Sequence, residues 1–207
     1  MPFGVIAGRV VGGVDVRQYG SGSTGTTNVL RTVGRRAAVA VLLLDMGKSV
    51  VAVLLAQLLT DSAGVEVATA LAAIAGHIWP VFAGFRGGKG ISVGWSALFV
   101  LSPISGLVAT LVGVPVIAVS RYVSLGSIMG AMSVCIALFV LAVATDTSTV
   151  YAWYASIGGI AVLLGVVALV SAPRRAVPDA FFDVGQLFFP DFTDPDAAAT
   201  LEVVGFD

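Results

Sequence analysis

Long apolar runs with almost no charge dominate this 207-residue sequence and limit the folds open to it. Such runs cover residues 37–60, 63–84, 91–120, 123–144 and 150–172. A transmembrane helix needs about 20 mostly apolar residues. Only 11% of the residues are charged, whereas soluble domains have about 25%. The sequence therefore predicts an all-α, polytopic integral membrane helical bundle in a lipid bilayer.

The charges between these runs predict an orientation. Basic residues occur in the connections at 15–36, 85–90 and 173–175, whereas the connections at 61–66 and 145–149 are acidic. Because Lys and Arg accumulate in cytoplasmic loops, the basic connections are expected in the cytoplasm.

The run 91–120 is too long for one span, and both its flanking residues, Lys89 and Arg121, belong inside by the same rule. We expect it to cross twice, or to dip and return, with a turn at Ser102-Pro103, because the residue before proline disfavours helix. One long tilted helix is the alternative, and it places Arg121 outside. We expect a membrane domain at 1–172 and an acidic cytoplasmic tail at 173–207, with 1–14 the end of a span whose start is absent.

Three segments between the apolar runs combine glycine, hydroxyl and basic residues: 20–36, 76–90 and 121–127. Glycine lets backbone N–H groups approach a ligand closely, and N–H groups together with Arg or Lys bind anions. The segments predict a phosphate site at the bilayer surface. The alternatives are a flexible helix-capping loop for the first segment, a turn with positive-inside anchors for the second, and serine caps for the third.

Asp45, Lys48 and His77 are polar residues within apolar runs. Asp45 and Lys48 are three residues apart and share a helix face. They are either a neutralising pair that orders the bundle or part of a polar cavity in which Lys48 holds a phosphate. His77 is the only histidine; it either bonds a backbone carbonyl freed by Pro80 or lines the site, and it is the only imidazole available as a base. A single histidine without a cysteine cluster does not predict a metal site.

These motifs resemble those of the bacterial acyl-phosphate:glycerol-3-phosphate acyltransferase family, PlsY. The segment GSGSTGTTNVLR, residues 20–31, is similar to the family's G-S-G-N-x-G-A-T-N-x-x-R. The segment GHIWPVFAGFRGGKG, residues 76–90, is similar to G-H-x-F-P-x-F-x-x-F-x-G-G-K-G. The D-x-x-K pair is present at Asp45 and Lys48, and residues 121–127 match the third motif.

The resemblance implies transfer of a fatty acyl group from acyl phosphate to the 1-hydroxyl of glycerol 3-phosphate, the first step of membrane phospholipid synthesis. It implies about six to seven membrane segments, a bacterial plasma-membrane location, a functional link to an acyl-phosphate-forming enzyme, and neither a cofactor nor a nucleic-acid partner. The residues predicted to act in catalysis are Ser21, Lys89 and His77. The residues predicted to bind substrate are Gly20, Gly22, Thr27, Asn28, Arg31, Asp45, Lys48, Arg86, Gly87, Gly88, Gly90, Ser124, Gly126 and Ser127.

The sequence also departs from the family pattern. Most of the first helix has no counterpart, Ser23 stands where the family has Asn, and the terminal H-x-x-N-I-x-R-L segment is replaced by a stretch containing Arg174 and Arg175. The altered tail predicts weak or absent acyltransferase activity. An inactive, truncated relative and a transporter for a phosphorylated solute are the alternative functions, the second because charged residues within a membrane also suit a solute pathway.

Overall fold

A computed structural model describes residues 1–120 and 122–144 of the chain. Within these residues seven α-helices follow one another: α1 (Phe3–Val11), α2 (Thr26–Thr32), α3 (Arg35–Leu59), α4 (Ala63–Ile78), α5 (Ile91–Leu101), α6 (Pro103–Ser120) and α7 (Val123–Ala144). Two short 3-10 turns, Val16–Gln18 and Val81–Ala83, lie in the connections before α2 and after α4. The predicted run at 150–172, the predicted tail and Arg121 lie outside the described residues.

In the described part of the chain, four helical stretches are long and apolar enough to cross a membrane: Arg35–Leu59, Ala63–Ala83, Pro103–Ser120 and Val123–Leu141. Helix α5 is apolar but shorter, at 11 residues. These stretches coincide with the apolar runs read from the sequence, and the all-α membrane fold is confirmed.

The run 91–120 is broken where the sequence predicts a turn. Helix α5 ends at Leu101, and α6 begins with Pro103. Proline suits the first position of a helix, where its missing N–H has no helical partner. The two helices fold back on each other, since Trp95 Nε1 donates to Thr110 Oγ1 at 3.1 Å. The single long helix is therefore wrong, and the paired arrangement is the observed one.

Small and hydroxyl residues join the helices. Ser49 of α3 donates to Val93 O of α5 at 3.0 Å and lies 2.6 Å from Ser96 Oγ. In α6 and α7, Gly113 and Gly130 lie backbone to backbone, so a side chain at either would crowd the other helix. Close approach at small residues and interhelical hydroxyl bonds are typical of helix packing in membranes.

A separate hydrophobic cluster packs the connection between α1 and α2 against the bundle. Val5 of α1, Val16 of the 3-10 turn, Val29 of α2 and Val41 of α3 are all buried in it. Helix α1 approaches so closely that a side chain at Gly8 would meet Val16 Cγ1 at 2.6 Å. The residues before α2 are therefore fixed between α1 and α3, at the end of the bundle where α3 begins and α4 ends.

Candidate functional site

The first glycine-rich segment is folded around one buried amide, that of Asn28. Its Oδ1 accepts from the Ser21 N–H at 2.9 Å, and its Nδ2 donates to Val16 O and Ser23 O, both at 2.7 Å. Gly20 has φ +57° and lies against Asn28 Oδ1, so that a side chain there would meet both backbone strain and a collision. Asn28 thus shapes this connection from within, and direct substrate binding by its amide stays a prediction.

Several backbone N–H groups expected to bind an anion are already used inside the protein. The Gly22 N–H donates to Tyr19 O at 3.0 Å, and the Gly25 N–H donates to Ser23 Oγ at 3.2 Å. The Ser21 and Thr24 N–H groups are likewise donated, to Asn28 and to Gly87 O. An anion would have to compete with these internal acceptors for the four N–H groups, and phosphate binding by the segment stays a prediction. The hydroxyl of exposed Ser21 and the cationic side chains are better suited to that task.

The first and second motif segments meet. The Thr24 N–H donates to Gly87 O at 3.3 Å, and a side chain at Gly25 would come within 4.0 Å of Gly88 Cα. Two regions separated by about 60 residues in sequence are therefore in contact, and a substrate site shared between them stays a prediction.

Two cations lie near each other at this junction. Arg31 is in the last turn of α2, and Lys89 lies just before α5. Partial burial, and then the positive charge of Arg31, lower the pKa of the Lys89 ammonium below its ordinary value of 10.5. Both side chains remain exposed, as does Arg86 three residues earlier. A surface with like charges this close is suited to an anion, which relieves their repulsion.

Beneath this surface, Asp45, Lys48 and His77 form a closed triangle. Lys48 Nζ lies 2.5 Å from Asp45 Oδ1 and 2.7 Å from His77 Nδ1, and Nδ1 lies 3.3 Å from Asp45 Oδ1. Asp45 and His77 are only 1% and 6% exposed. The Asp45–Lys48 pair was expected from its spacing, whereas its contact with His77 on another helix was not. The expected bond from the imidazole to a backbone carbonyl is replaced by this contact, and substrate binding by Asp45 and Lys48 stays a prediction.

His77 also supports the second motif segment. Its carbonyl accepts from the Gly88 N–H at 3.2 Å, and Gly88 is packed so tightly on the imidazole that any side chain there would overlap Nε2. A side chain at Gly87 would overlap His77 O and lie 2.6 Å from Pro80 Cδ. These glycines are thus required by close packing on His77, immediately before Lys89.

In the third motif, residues 121–127, the contacts of Gly126 and Ser127 are with α6 and within α7. A side chain at Gly126 would overlap Ile117 and lie 2.6 Å from Gly113 O, both in α6. The Ser127 hydroxyl donates to Val123 O of its own helix at 2.7 Å. The observed contacts therefore give Gly126 and Ser127 a role in packing α7, and their predicted part in substrate binding, like that of Ser124 and Thr27, stays a prediction.

Sequence reasoning missed Asp15 and Arg17. The two residues precede the first motif, and their side chains form a forked ion pair with Nε–Oδ1 at 2.8 Å and Nη2–Oδ2 at 2.5 Å. Asp15 also accepts from the Arg17 N–H at 3.1 Å and begins the 3-10 turn. An Asp two residues before an Arg at the start of a turn was the available signal, since Asp commonly caps its own local backbone.

Known proteins resemble this chain along most of its length. A family model described as glycerol-3-phosphate acyltransferase matches residues 1–176. A glycerol-3-phosphate acyltransferase of Synechococcus sp. (strain CC9902) is 44% identical over 163 residues, which are 79% of this chain and 80% of the relative. One of Thermoanaerobacter sp. (strain X514) is 48% identical over 120 residues, 58% of this chain and 60% of the relative.

Solved structures agree with these matches. A crystal structure of PlsY (YgiH), described as an integral membrane glycerol 3-phosphate acyltransferase in its glycerol 3-phosphate form, has a TM-score of 0.65 and 31% identity. That match covers 82% of this chain and 86% of the solved one. The lysophosphatidic acid form has a TM-score of 0.67 and 33% identity, with 82% and 85% covered. The chain, a multi-pass membrane protein, thus belongs to the glycerol-3-phosphate acyltransferase family.

Proposed function

We propose that the protein transfers a fatty acyl group from acyl phosphate to the 1-hydroxyl of sn-glycerol 3-phosphate, releasing lysophosphatidic acid and phosphate. The observation that carries the proposal is the junction of the first two motif segments, which brings the exposed Arg31 and Lys89 near each other. Both substrates carry a phosphate, and charge-assisted bonds to such oxygens are among the strong hydrogen bonds in proteins. The glycerol 3-phosphate and lysophosphatidic acid forms of PlsY are of the same chemistry as the acceptor and product proposed here.

The reaction needs no nucleophile from the protein, because an acyl phosphate is already activated. The glycerol hydroxyl oxygen forms a bond to the acyl carbonyl carbon, the bond from that carbon to the phosphate oxygen breaks, and the proton of the hydroxyl passes to a phosphate oxygen. Arg31, Arg86 and Lys89 hold the phosphates in position and offset the charge that develops. The Ser21 hydroxyl, which is exposed in the first motif segment, donates to the developing oxyanion or the leaving phosphate.

His77 is the predicted alternative to the substrate phosphate as proton acceptor. Its Nδ1 is already in contact with Lys48 and Asp45. The buried ring therefore has only Nε2 for any further partner, on the side occupied by Gly88. This arrangement supports proton transfer to the phosphate, with His77 as a support for the second motif segment.

The orientation and the cellular context belong to the same proposal. The motif segments face the cytoplasm of a bacterial plasma membrane, as the accumulation of basic residues around them supports. Acyl phosphate is a reactive mixed anhydride, so an enzyme that forms it is expected to work alongside this protein. The chain's division at residue 172 into a membrane domain and a tail is part of this proposal.

Purified protein in lipid vesicles tests the function directly. We expect labelled lysophosphatidic acid from labelled glycerol 3-phosphate and acyl phosphate, at the low rate that the altered tail predicts, and none from acyl-CoA or acyl carrier protein. Lys89→Ala and Arg31→Ala each remove a charged hydrogen bond worth about 1.5–3 kcal/mol, so kcat/KM should fall about 10- to 150-fold.

Arg36→Gln is the matched control, because Arg36 is an exposed base at the start of α3 and is not among the residues predicted to bind substrate. It should keep the wild-type kcat/KM. Uptake of glycerol 3-phosphate into vesicles without lysophosphatidic acid would instead indicate a transporter. Wild-type kinetics in Lys89→Ala would contradict the role given to the paired cations.

A further inference from the structure

Arg17 joins the two connections that carry the first and second motifs. While Nε and Nη2 of its guanidinium bind Asp15, Nη1 donates to Ala83 O at 2.8 Å, across 66 positions of sequence. The side chains are only 21% exposed for Arg17 and 16% for Asp15. A guanidinium held flat by both carboxylate oxygens is fixed in orientation. Ala83 O is thus held at a defined position relative to the first connection.

The carbonyl that Arg17 binds lies at a sharp bend. Gly84 has φ +63°, and Phe85, which is not glycine, has φ +60°. For a bulky residue this conformation costs about 1–3 kcal/mol and persists only when its surroundings over-determine it. The Phe85 N–H donates to Pro80 O at 3.0 Å, and Arg17 binds the carbonyl of Ala83, two residues before Phe85. Both contacts stabilise the bend. Arg86 follows Phe85 directly, and Lys89 lies three residues further on.

Asp15 keeps its charge over the whole physiological range. The hydrogen bonds from Arg17 are the largest cause that holds the pKa of the Asp15 carboxyl well below its usual value, and they raise the pKa of Arg17. A carboxyl with a lowered pKa stabilises the fold above its unfolded pKa of 3.8, and the contribution is lost only as the pH falls through the lower folded value. Arg9 Nη2 lies 3.5 Å from Asp15 and is 64% exposed, so it adds little.

A cavity of about 280 Å³ lies at this junction, lined by Asp15, Arg17, Gln18, Ala83, Gly84 and Arg86. The ion pair forms one wall, and the exposed Arg86 forms part of the opposite connection. Loss of the Arg17 side chain would therefore both enlarge the cavity and free the segment that carries Arg86.

We infer that Arg17, oriented by Asp15, is a positioning residue that sets the spacing between the two motif segments and so places Arg86 and Lys89 opposite Arg31. The expected change in kinetics rests on the acyl transfer proposed above. The expected change in how firmly the segment is held does not. The second link between the segments, from Thr24 N–H to Gly87 O at 3.3 Å, is a single neutral bond. Because a neutral bond is weaker than the charge-assisted bond from Arg17 to Ala83 O, it does not replace Arg17.

The test compares Arg17→Ala and Arg17→Lys with Gln18→Ala, which changes a lining side chain of the same cavity and leaves the ion pair intact. Hydrogen exchange of peptides covering residues 79–90 measures how firmly the second motif segment is held. Steady-state kinetics measure whether its cations are placed for substrate binding. Arg17→Ala should exchange faster at 79–90 and lose up to about 100-fold in kcat/KM, as expected for misplaced binding groups. The loss should be mainly in KM for glycerol 3-phosphate or acyl phosphate, measured well below the Tm of the variant, which should fall because Asp15 loses its charged partner.

Arg17→Lys keeps the charge but not the fork, so it should fall between wild type and Arg17→Ala in both measurements. Gln18→Ala should match wild type in both. Unchanged exchange in Arg17→Ala, or faster exchange with wild-type kinetics, would overturn the inference. If wild type forms no lysophosphatidic acid from any donor, the proposed function fails, and the exchange comparison still decides whether Arg17 holds the segment.

Discussion

The position of Lys89 is set by the second motif, and its pKa is affected by a residue of the first. Lys89 follows Gly87 and Gly88, which lie on His77. Its pKa is lowered first by partial burial and then by the charge of Arg31 in the first motif. Its place in a basic glycine segment was readable from the sequence. The role of Asn28 was not, because its three bonds to Ser21, Ser23 and Val16 depend on the path of the chain around it.

The lowered pKa of Lys89 predicts a specific pH dependence. The protonated ammonium is the form that binds phosphate, so a pKa below 10.5 means that binding weakens at a lower pH than for an ordinary lysine. The KM for the phosphate substrates should therefore rise on the alkaline side. Lys89→Arg should move this rise to higher pH even where its kcat is lower, because a guanidinium stays charged there. Kinetics between about pH 7 and 10 measure this, and an identical alkaline rise in both proteins would contradict the assignment to Lys89.

At the scale of elements, the helices and their breaks were largely predictable, and the contacts between them were not. Apolar length located the spans, and Ser102-Pro103 located the break between α5 and α6, because these signals are local to the chain. The triangle of Asp45, Lys48 and His77 joins α3 to α4 across 29 positions. Its ionic pair was visible from the i, i+3 spacing, but the third member follows only from how the two helices pack.

The triangle predicts non-additive effects on stability. Lys48→Met alone leaves the buried Asp45 carboxylate with only His77 beside it, which costs up to about 3–5 kcal/mol. Asp45→Asn leaves Lys48, whose side chain is 19% exposed, and should cost less. The double variant removes both charges, so it should be more stable than the sum of the single changes predicts, with a coupling of about 0.5–3 kcal/mol. Denaturant unfolding in mixed micelles gives the free energies. Gln57→Leu is the control, because Gln57 joins the same two helices through Glu66 at 3.3 Å without a charge of its own. Additive losses at Asp45 and Lys48 would show that the pair acts independently.

At the scale of the whole molecule, the paired arrangement of α5 and α6 places the start of α7 at the same end of the bundle as the first two motif segments. The chain leaves that end in α5, turns at Ser102, and returns in α6. Helix α7 then packs antiparallel to α6, with Gly126 at Gly113 and Gly130 at Ala109. Charge placement predicted this arrangement because it acts on the chain as a whole. It did not predict that Gly126 is used for packing, since a glycine suits a helix contact and a ligand contact equally well.

The same arrangement gives a topological prediction. Single cysteines at Ser92 and Ser120, placed in a Cys135→Ala background, should both react with a membrane-impermeant maleimide from one side of the membrane only. A cysteine at Asp61, in the connection between α3 and α4, should react from the opposite side, because α3 crosses the bilayer once between the first motif and Asp61. Labelling of intact cells and of inverted vesicles separates the sides, and the first pair should react in the vesicles if the motif segments are cytoplasmic. Reaction of the Ser92 and Ser120 variants from different sides would contradict the conclusion that α5 and α6 return the chain to the side from which it left.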